Sequence, residues 1–236
     1  MPSARLRIWQ DGPPGTELFL NHYRGRAPIL GANVAGSDLP ALEATRVFDQ
    51  VEEPRALWIV SDGPSRAANA LDKVASTRKA FVDEITFEDV RATFYFDSAT
   101  WHATDINTPL ALDGQPTLHL QTVAFTPSPD LGIIGARLTW RVLASPGEPV
   151  QTFVHLFNEQ GEKVAQHDGA AQNGWRSAET WQVGDVLTDT HAIRVATLPP
   201  GTYTVVVGFY RLRDIAPLTT PDGAGSLTVG TITIAP

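Results

Sequence analysis

No cysteine occurs in the 236 residues. That absence excludes disulfides, thiolate metal sites and a cysteine nucleophile. It does not fix a compartment, because exported bacterial domains also lack cysteine. Positive charge is short as well: 18 Lys and Arg stand against 26 Asp and Glu, a formal net charge of −8. The acidic excess is shared by both parts when the chain is divided at Gln115, and no run of Lys or Arg occurs. A nucleic-acid partner requires a positive footprint that displaces counterions, and an anionic membrane surface recruits basic clusters, so neither partner is expected. No apolar run approaches the ~18 residues that span a bilayer. The opening Met1-Pro-Ser-Ala-Arg-Leu-Arg-Ile-Trp lacks the apolar core of a signal peptide. Taken alone, and with Met1 as the natural start, this implies a cytoplasmic protein. Patterns such as Gly-x-Ser-x-Gly, His-x-x-x-His and the EF-hand loop are missing too.

What is present suffices for folding. Hydrophobic residues make up 42% and charged residues 19%, too apolar for disorder and enough for a core without covalent staples. The length admits one large domain or two small ones.

Two textures divide the chain. Residues 1–97 mix strand and helix patterns. Glu17–Asn21 is a short apolar strand after a Gly/Pro turn. Asp38 caps a helix with Pro40 in its first turn, and Ala41, Ala44, Phe48 and Val51 recur at helical spacing until Pro54. Ala56–Val60 is a continuous apolar run, the signature of a strand covered on both faces. Ser65 caps a second helix with the stripe Ala67, Leu71, Val74, Arg78 and Phe81, and Arg91–Phe96 alternates as a strand. The order predicts a small Rossmann-like α/β unit. Residues 98–115, rich in Thr, Asp, Pro and Gly, read as a linker. Residues 116–236 predict an antiparallel β-sandwich of jelly-roll or immunoglobulin-like type, because short alternating runs recur between turn signals. In Arg137–Val142, Leu138, Trp140 and Val142 point inward. A hairpin turns about Asn158-Glu-Gln-Gly161, and a phase shift near Gly230 predicts a bulge.

Several groups of residues invite a chemical reading. Gly31-Ala-Asn-Val-Ala-Gly36 has the glycine spacing of a phosphate loop, but no Lys-Ser/Thr follows, which favours an ordinary loop. His155, His167 and His191 could converge on a metal, although His155 shares a face with Phe153 and Phe157, where a half-buried, hydrogen-bonded imidazole is the simpler account. Asp168, Asp185 and Asp189 could supply oxygens to a structural Ca²⁺, and no other cofactor is expected; turn chemistry explains the same residues. Trp175 and Trp181, with Asn173 and Arg176, form a candidate carbohydrate-binding platform of aromatic faces beside planar donors, against the alternative that both rings plug the core. The adjacent acids Glu52-Glu53, Asp83-Glu84 and Glu88-Asp89 are solvated faces rather than a hydrolytic pair.

Leu138-Thr-Trp-Arg, Phe153-Val-His-Leu-Phe, Val164-Ala-Gln-His-Asp-Gly, Trp181-Gln-Val-Gly-Asp-Val, Leu198-Pro-Pro-Gly-Thr-Tyr and Val207-Gly-Phe-Tyr form a series. It resembles the C-terminal extracytoplasmic β-sandwich of bacterial multi-spanning membrane proteins similar to the dolichyl-phosphate-mannose-protein mannosyltransferase type. Pro14-Gly-Thr-Glu-Leu-Phe-Leu-Asn, Pro54-Arg-Ala-Leu-Trp-Ile-Val and Phe94-Tyr-Phe resemble the segment that precedes it. The resemblance implies a tail of a longer glycosyltransferase-like protein on the outer face of the membrane. Catalysis there belongs to an acidic residue in an early loop and a lipid-phosphate sugar donor, so no catalytic residue carries over. The expected role is a non-catalytic accessory region whose partners are a glycan or the membrane part of its own parent chain. The alternatives are a free carbohydrate-binding module, or an enzyme with a site near Asn21, His22, Ser61 and Asp62 at strand ends of the α/β unit.

Overall fold

A computed structural model of the chain describes residues 5–10, 29–33, 56–62, 66–87, 90–96, 101–174 and 176–235. The chain divides into two compact units, Met1–Ala99 and Thr100–Pro236.

In the first unit the described elements are β1 (Arg5–Gln10), β2 (Ile29–Asn33), β3 (Ala56–Asp62), α1 (Arg66–Arg78), β4 (Ala80–Phe87) and β5 (Val90–Phe96). Their order across the sheet is β2-β1-β3-β5-β4. β1 runs parallel to β2 and β3, whereas β5 is antiparallel to β3 and to β4. Strand therefore predominates over the single described helix, and no Rossmann-like α/β unit is evident among the described residues, contrary to the sequence expectation. The physical reason lies in Ala80–Phe87. Its Phe81, Val82, Ile85 and Phe87 favour a pleated strand over a helix end, and only two residues separate it from β5. So short a connection makes a hairpin and cannot make a parallel crossover. Phe81, assigned by spacing to the helical stripe, stands in β4, as does the acidic pair Asp83-Glu84. On α1, Leu71, Val74 and Ala75 are buried, in keeping with the helical period. The expected strand Glu17–Asn21 and the expected helix after Asp38 lie outside the described residues. Gly31, the first glycine of the phosphate-loop-like run, lies within β2 opposite Ile8.

The second unit contains β6 (His102–Leu112), β7 (Gln115–Ser128), β8 (Ile133–Val142), β9 (Val150–Phe157), β10 (Lys163–Gly169), β11 (Val186–Arg194), β12 (Gly201–Arg211) and β13 (Leu227–Ile234). They form two antiparallel arrays of four strands, ordered β11-β8-β7-β6 and β10-β9-β12-β13. Their inner faces share one core, in which Leu118, Leu138, Trp140, Leu156, Val205 and Phe209 are sealed from solvent. Trp140 and Phe209 meet edge to face at 4.8 Å between ring centres, a favoured aromatic geometry. Residues 98–115, expected as a linker, instead supply β6, which pairs with β7 along its length.

The turn Leu198-Pro-Pro-Gly-Thr-Tyr is closed by the Tyr203 hydroxyl, which donates to the Pro199 carbonyl at 2.7 Å. This is a tyrosine corner, a bond that ties a strand's start to the chain a few residues upstream. The registers also fix which ends lie together. β6 and β8 finish, and β7, β9 and β11 begin, at the end of the unit where β12 also finishes, since Leu118 pairs with Val142, Val186 with Arg141 and Val150 with Arg211. The chain enters at Trp101 and leaves after Ile234 at the opposite end.

Candidate functional site

The inward phase of β11 runs Leu187, Asp189, His191, Ile193, so two ionisable side chains take positions that the alternation reserves for apolar ones. Asp189 and His191 are each 1% exposed. Burying such groups is costly unless they are paired, and here they are. Asp189 accepts from the Gln172 backbone N–H at 2.9 Å through Oδ1, and its Oδ2 lies 2.9 Å from His191 Nε2. His191 Nδ1 lies 2.8 Å from Nδ1 of His167 on β10. With Asp189 accepting the His191 Nε2–H, His191 Nδ1 must accept, and the His167 Nδ1–H must donate. The lone pair of His167 Nε2 is left at the end of the relay. His167 is only partly buried.

Burial, followed by the adjoining His191 ring, pushes the His167 pKa down to about 4. The relay thus joins β10 of one array to β11 of the other. Gln172 and Asn173, both with left-handed backbone (φ +55° and +53°), form the turn that presents the Gln172 N–H to Asp189. The signal for this cluster was the Asp-x-His spacing within an apolar alternation, which places both side chains on one buried face.

His155 does not join the other two histidines. It stacks on Phe153 at 4.4 Å and its Nε2 meets Asp168 Oδ1 at 2.9 Å. Burial pushes its pKa down, and Asp168 partly restores it. Tyr210 also stacks with Phe153, at 6.2 Å between ring centres, and donates to Gln151. Burial, then the nearby Asp168 carboxylate, push the Tyr210 hydroxyl pKa up.

The three aspartates proposed for Ca²⁺ stay apart, each with its own partners. Asp168 pairs with His155, Asp189 with His191, and Asp185 with Arg176 and the Gln182 N–H. Among the described residues, no group of three or more His, Asp or Glu is placed to hold a metal ion. Of the carbohydrate platform, Trp175 lies outside the described residues. Trp181 is 3% exposed, with its indole N–H donating to the Arg176 carbonyl and its ring edge on to Phe209. It is core and presents no face to a sugar. Arg176 is engaged with Asp185 and the Thr180 carbonyl. Asn173 Nδ2 is buried without a hydrogen-bond partner among the described residues. A cleft of about 260 Å³ lies beside the tyrosine corner, lined by Asn158, Glu159, Gln160, Leu198 and Pro199 among others.

In the first unit, Asp72 of α1 receives the Tyr95 hydroxyl at 3.0 Å and the Arg91 guanidinium at 2.9 Å. Burial pushes the Asp72 pKa up, and Arg91 opposes that shift. Burial and Asp72 together push the Tyr95 hydroxyl up. This network fastens α1 to β5. Ser61 and Asp62, of the alternative enzymatic site, close β3 opposite Arg91 and Val90 in register, while Asn21 and His22 lie outside the described residues.

No protein-family model matches this chain, and no curated protein is significantly similar to it. Among solved structures, a protein described as ApaA from Bordetella pertussis is 11% identical over 57% of this chain and 94% of its own, with a TM-score of 0.26. An endonuclease/exonuclease/phosphatase from Beutenbergia cavernae is 10% identical over 84% of this chain and 61% of its own, with a TM-score of 0.28. Among the described residues, no helix is long and apolar enough to cross a membrane.

Proposed function

We propose that this chain is a non-catalytic accessory region of a membrane glycosyltransferase-like protein, carried on the extracytoplasmic side. There its β-sandwich contacts the acceptor or the membrane part of its own parent chain. One observation supports this reading above others: the motifs that carry the resemblance fall on the frame of the second unit. Leu138 and Trp140 are core, Phe153 and Leu156 line β9, Trp181 plugs the core, and Leu198–Tyr203 is the tyrosine corner. A shared frame is what a recurring accessory module needs, since its chemistry is supplied elsewhere. A glycan contact on Trp181 is set aside, because that ring is buried.

The test is protease accessibility in intact and permeabilised cells, with the chain tracked in its natural reading frame. The expected result is cleavage of the second unit from outside and co-purification with a multi-spanning membrane segment. A chain that begins at Met1 and stays in the cytoplasm would overturn the proposal.

A further inference from the structure

Among the described residues seven large apolar side chains stand exposed, and five belong to the end of the second unit opposite the chain's points of arrival and departure. They are Leu143, Val183, Val186, Leu212 and Ile215. Val183 is 74% and Ile215 63% exposed. Hydrogen bonds place them on neighbouring loops. The Gly184 N–H donates to the Val142 carbonyl, which brings Val183 beside Leu143, and the Leu212 N–H donates to the Pro149 carbonyl. Ile215 also has a left-handed backbone (φ +59°). A β-branched residue adopts that conformation only at a cost, and such costs gather where a side chain must be displayed. The Ile215 N–H bond to the Arg211 carbonyl at 2.9 Å holds it there.

We propose that this end of the unit rests on a neutral, zwitterionic lipid surface, with its aliphatic tips in the apolar layer. Three features select that occupant. The tips are aliphatic, with no exposed large aromatic among the described residues there, whereas protein contacts are anchored by Trp, Tyr and Arg in shaped pockets. They are distributed over three stretches of chain, Leu143 after β8, Val183 and Val186 about the start of β11, and Leu212 and Ile215 after β12, and a fluid layer demands no fixed shape of such tips. The charges around them are largely neutralised in place: Arg211 pairs with Asp113 and Asp214, Arg213 with Glu148, and Arg176 with Asp185. That rim suits zwitterionic headgroups and gives anionic lipid no reason to bind. Exposed Arg141, opposite Val186 in register, is available to a lipid phosphate. The surface argument does not depend on the accessory role proposed above.

The test is flotation of the full chain with protein-free phosphatidylcholine vesicles. The wild type should float with them. The double variant Val183→Ser, Ile215→Ser should lose about tenfold or more of the bound fraction, because apolar burial drives the contact, with an unchanged urea midpoint. Ile85→Ser, exposed in the first unit, should bind as the wild type does. Four outcomes would overturn the proposal. They are no flotation of the wild type, an equal loss in Ile85→Ser, binding that needs anionic lipid and disappears with salt, and binding to native membranes but not to protein-free vesicles. The last would assign the surface to a protein partner.

Discussion

At His167, burial and the adjoining His191 ring lower the folded-state pKa to about 4, against roughly 6.5 in an unfolded chain. The folded form therefore binds fewer protons than the unfolded form between those values. Its contribution to stability is complete above pH ~6.5 and declines as the pH falls toward ~4, by at most roughly 3 kcal/mol. Urea midpoints measured across that range should fall with acidification, and His167→Gln should flatten the decline; an equally steep decline in the variant would remove His167 as its source. Trp181 is the second single-residue case. Trp181→Ala should cost about 3–5 kcal/mol by opening a cavity against Phe209, whereas an exposed sugar platform would lose affinity and keep its stability. Much at this scale was legible beforehand. Leu138, Trp140 and Val142 are buried, and the residues between them are not, as the alternation implies. The relay was not, because ionisable residues in an apolar phase raise several readings that sequence spacing alone leaves open.

Strands and turns carry the next level. The hairpin about Asn158–Gly161 and the phase shift at Gly230 were both visible in the sequence, since glycine and alternation mark them. Pairing indeed jumps there, from Val205–Gly230 to Val206–Thr228. β6 escaped detection because its first four residues are exposed and only Leu110 of the strand is fully buried, which leaves little alternation to read. β4 escaped because its central acids mimic a helix end. The tyrosine corner gives an element-level prediction: Tyr203→Phe should cost about 1 kcal/mol, the worth of one buried hydrogen bond, read as a lower melting midpoint with an unchanged fold. Gly208 gives another. A Cβ there would lie 2.6 Å from Phe153 Cζ, and that ring stacks with both His155 and Tyr210. Gly208→Ala should therefore cost about 1–3 kcal/mol through overpacking, detectable by chemical denaturation.

For the whole molecule, the second unit encloses its own continuous core. Thr100–Pro236 expressed alone should unfold in one cooperative transition, and a broad, non-cooperative melt would show that its core is incomplete. The change of pattern near residue 97 suggested two parts, and the nature of the first turned on one hairpin, β4–β5, that periodicity could not reveal. The placement of the second unit's ends has a mechanical consequence. β6 and β13 are the outermost strands of different arrays, and among the described residues each pairs along its length with one strand alone, β6 having besides only the Ala111–Thr219 bridge near its far end. Drawn apart by those ends, they would detach rung by rung, so that the load falls on one hydrogen bond at a time. Single-molecule stretching should record yielding at low force, in contrast to a shear-loaded clasp whose bonds must break together.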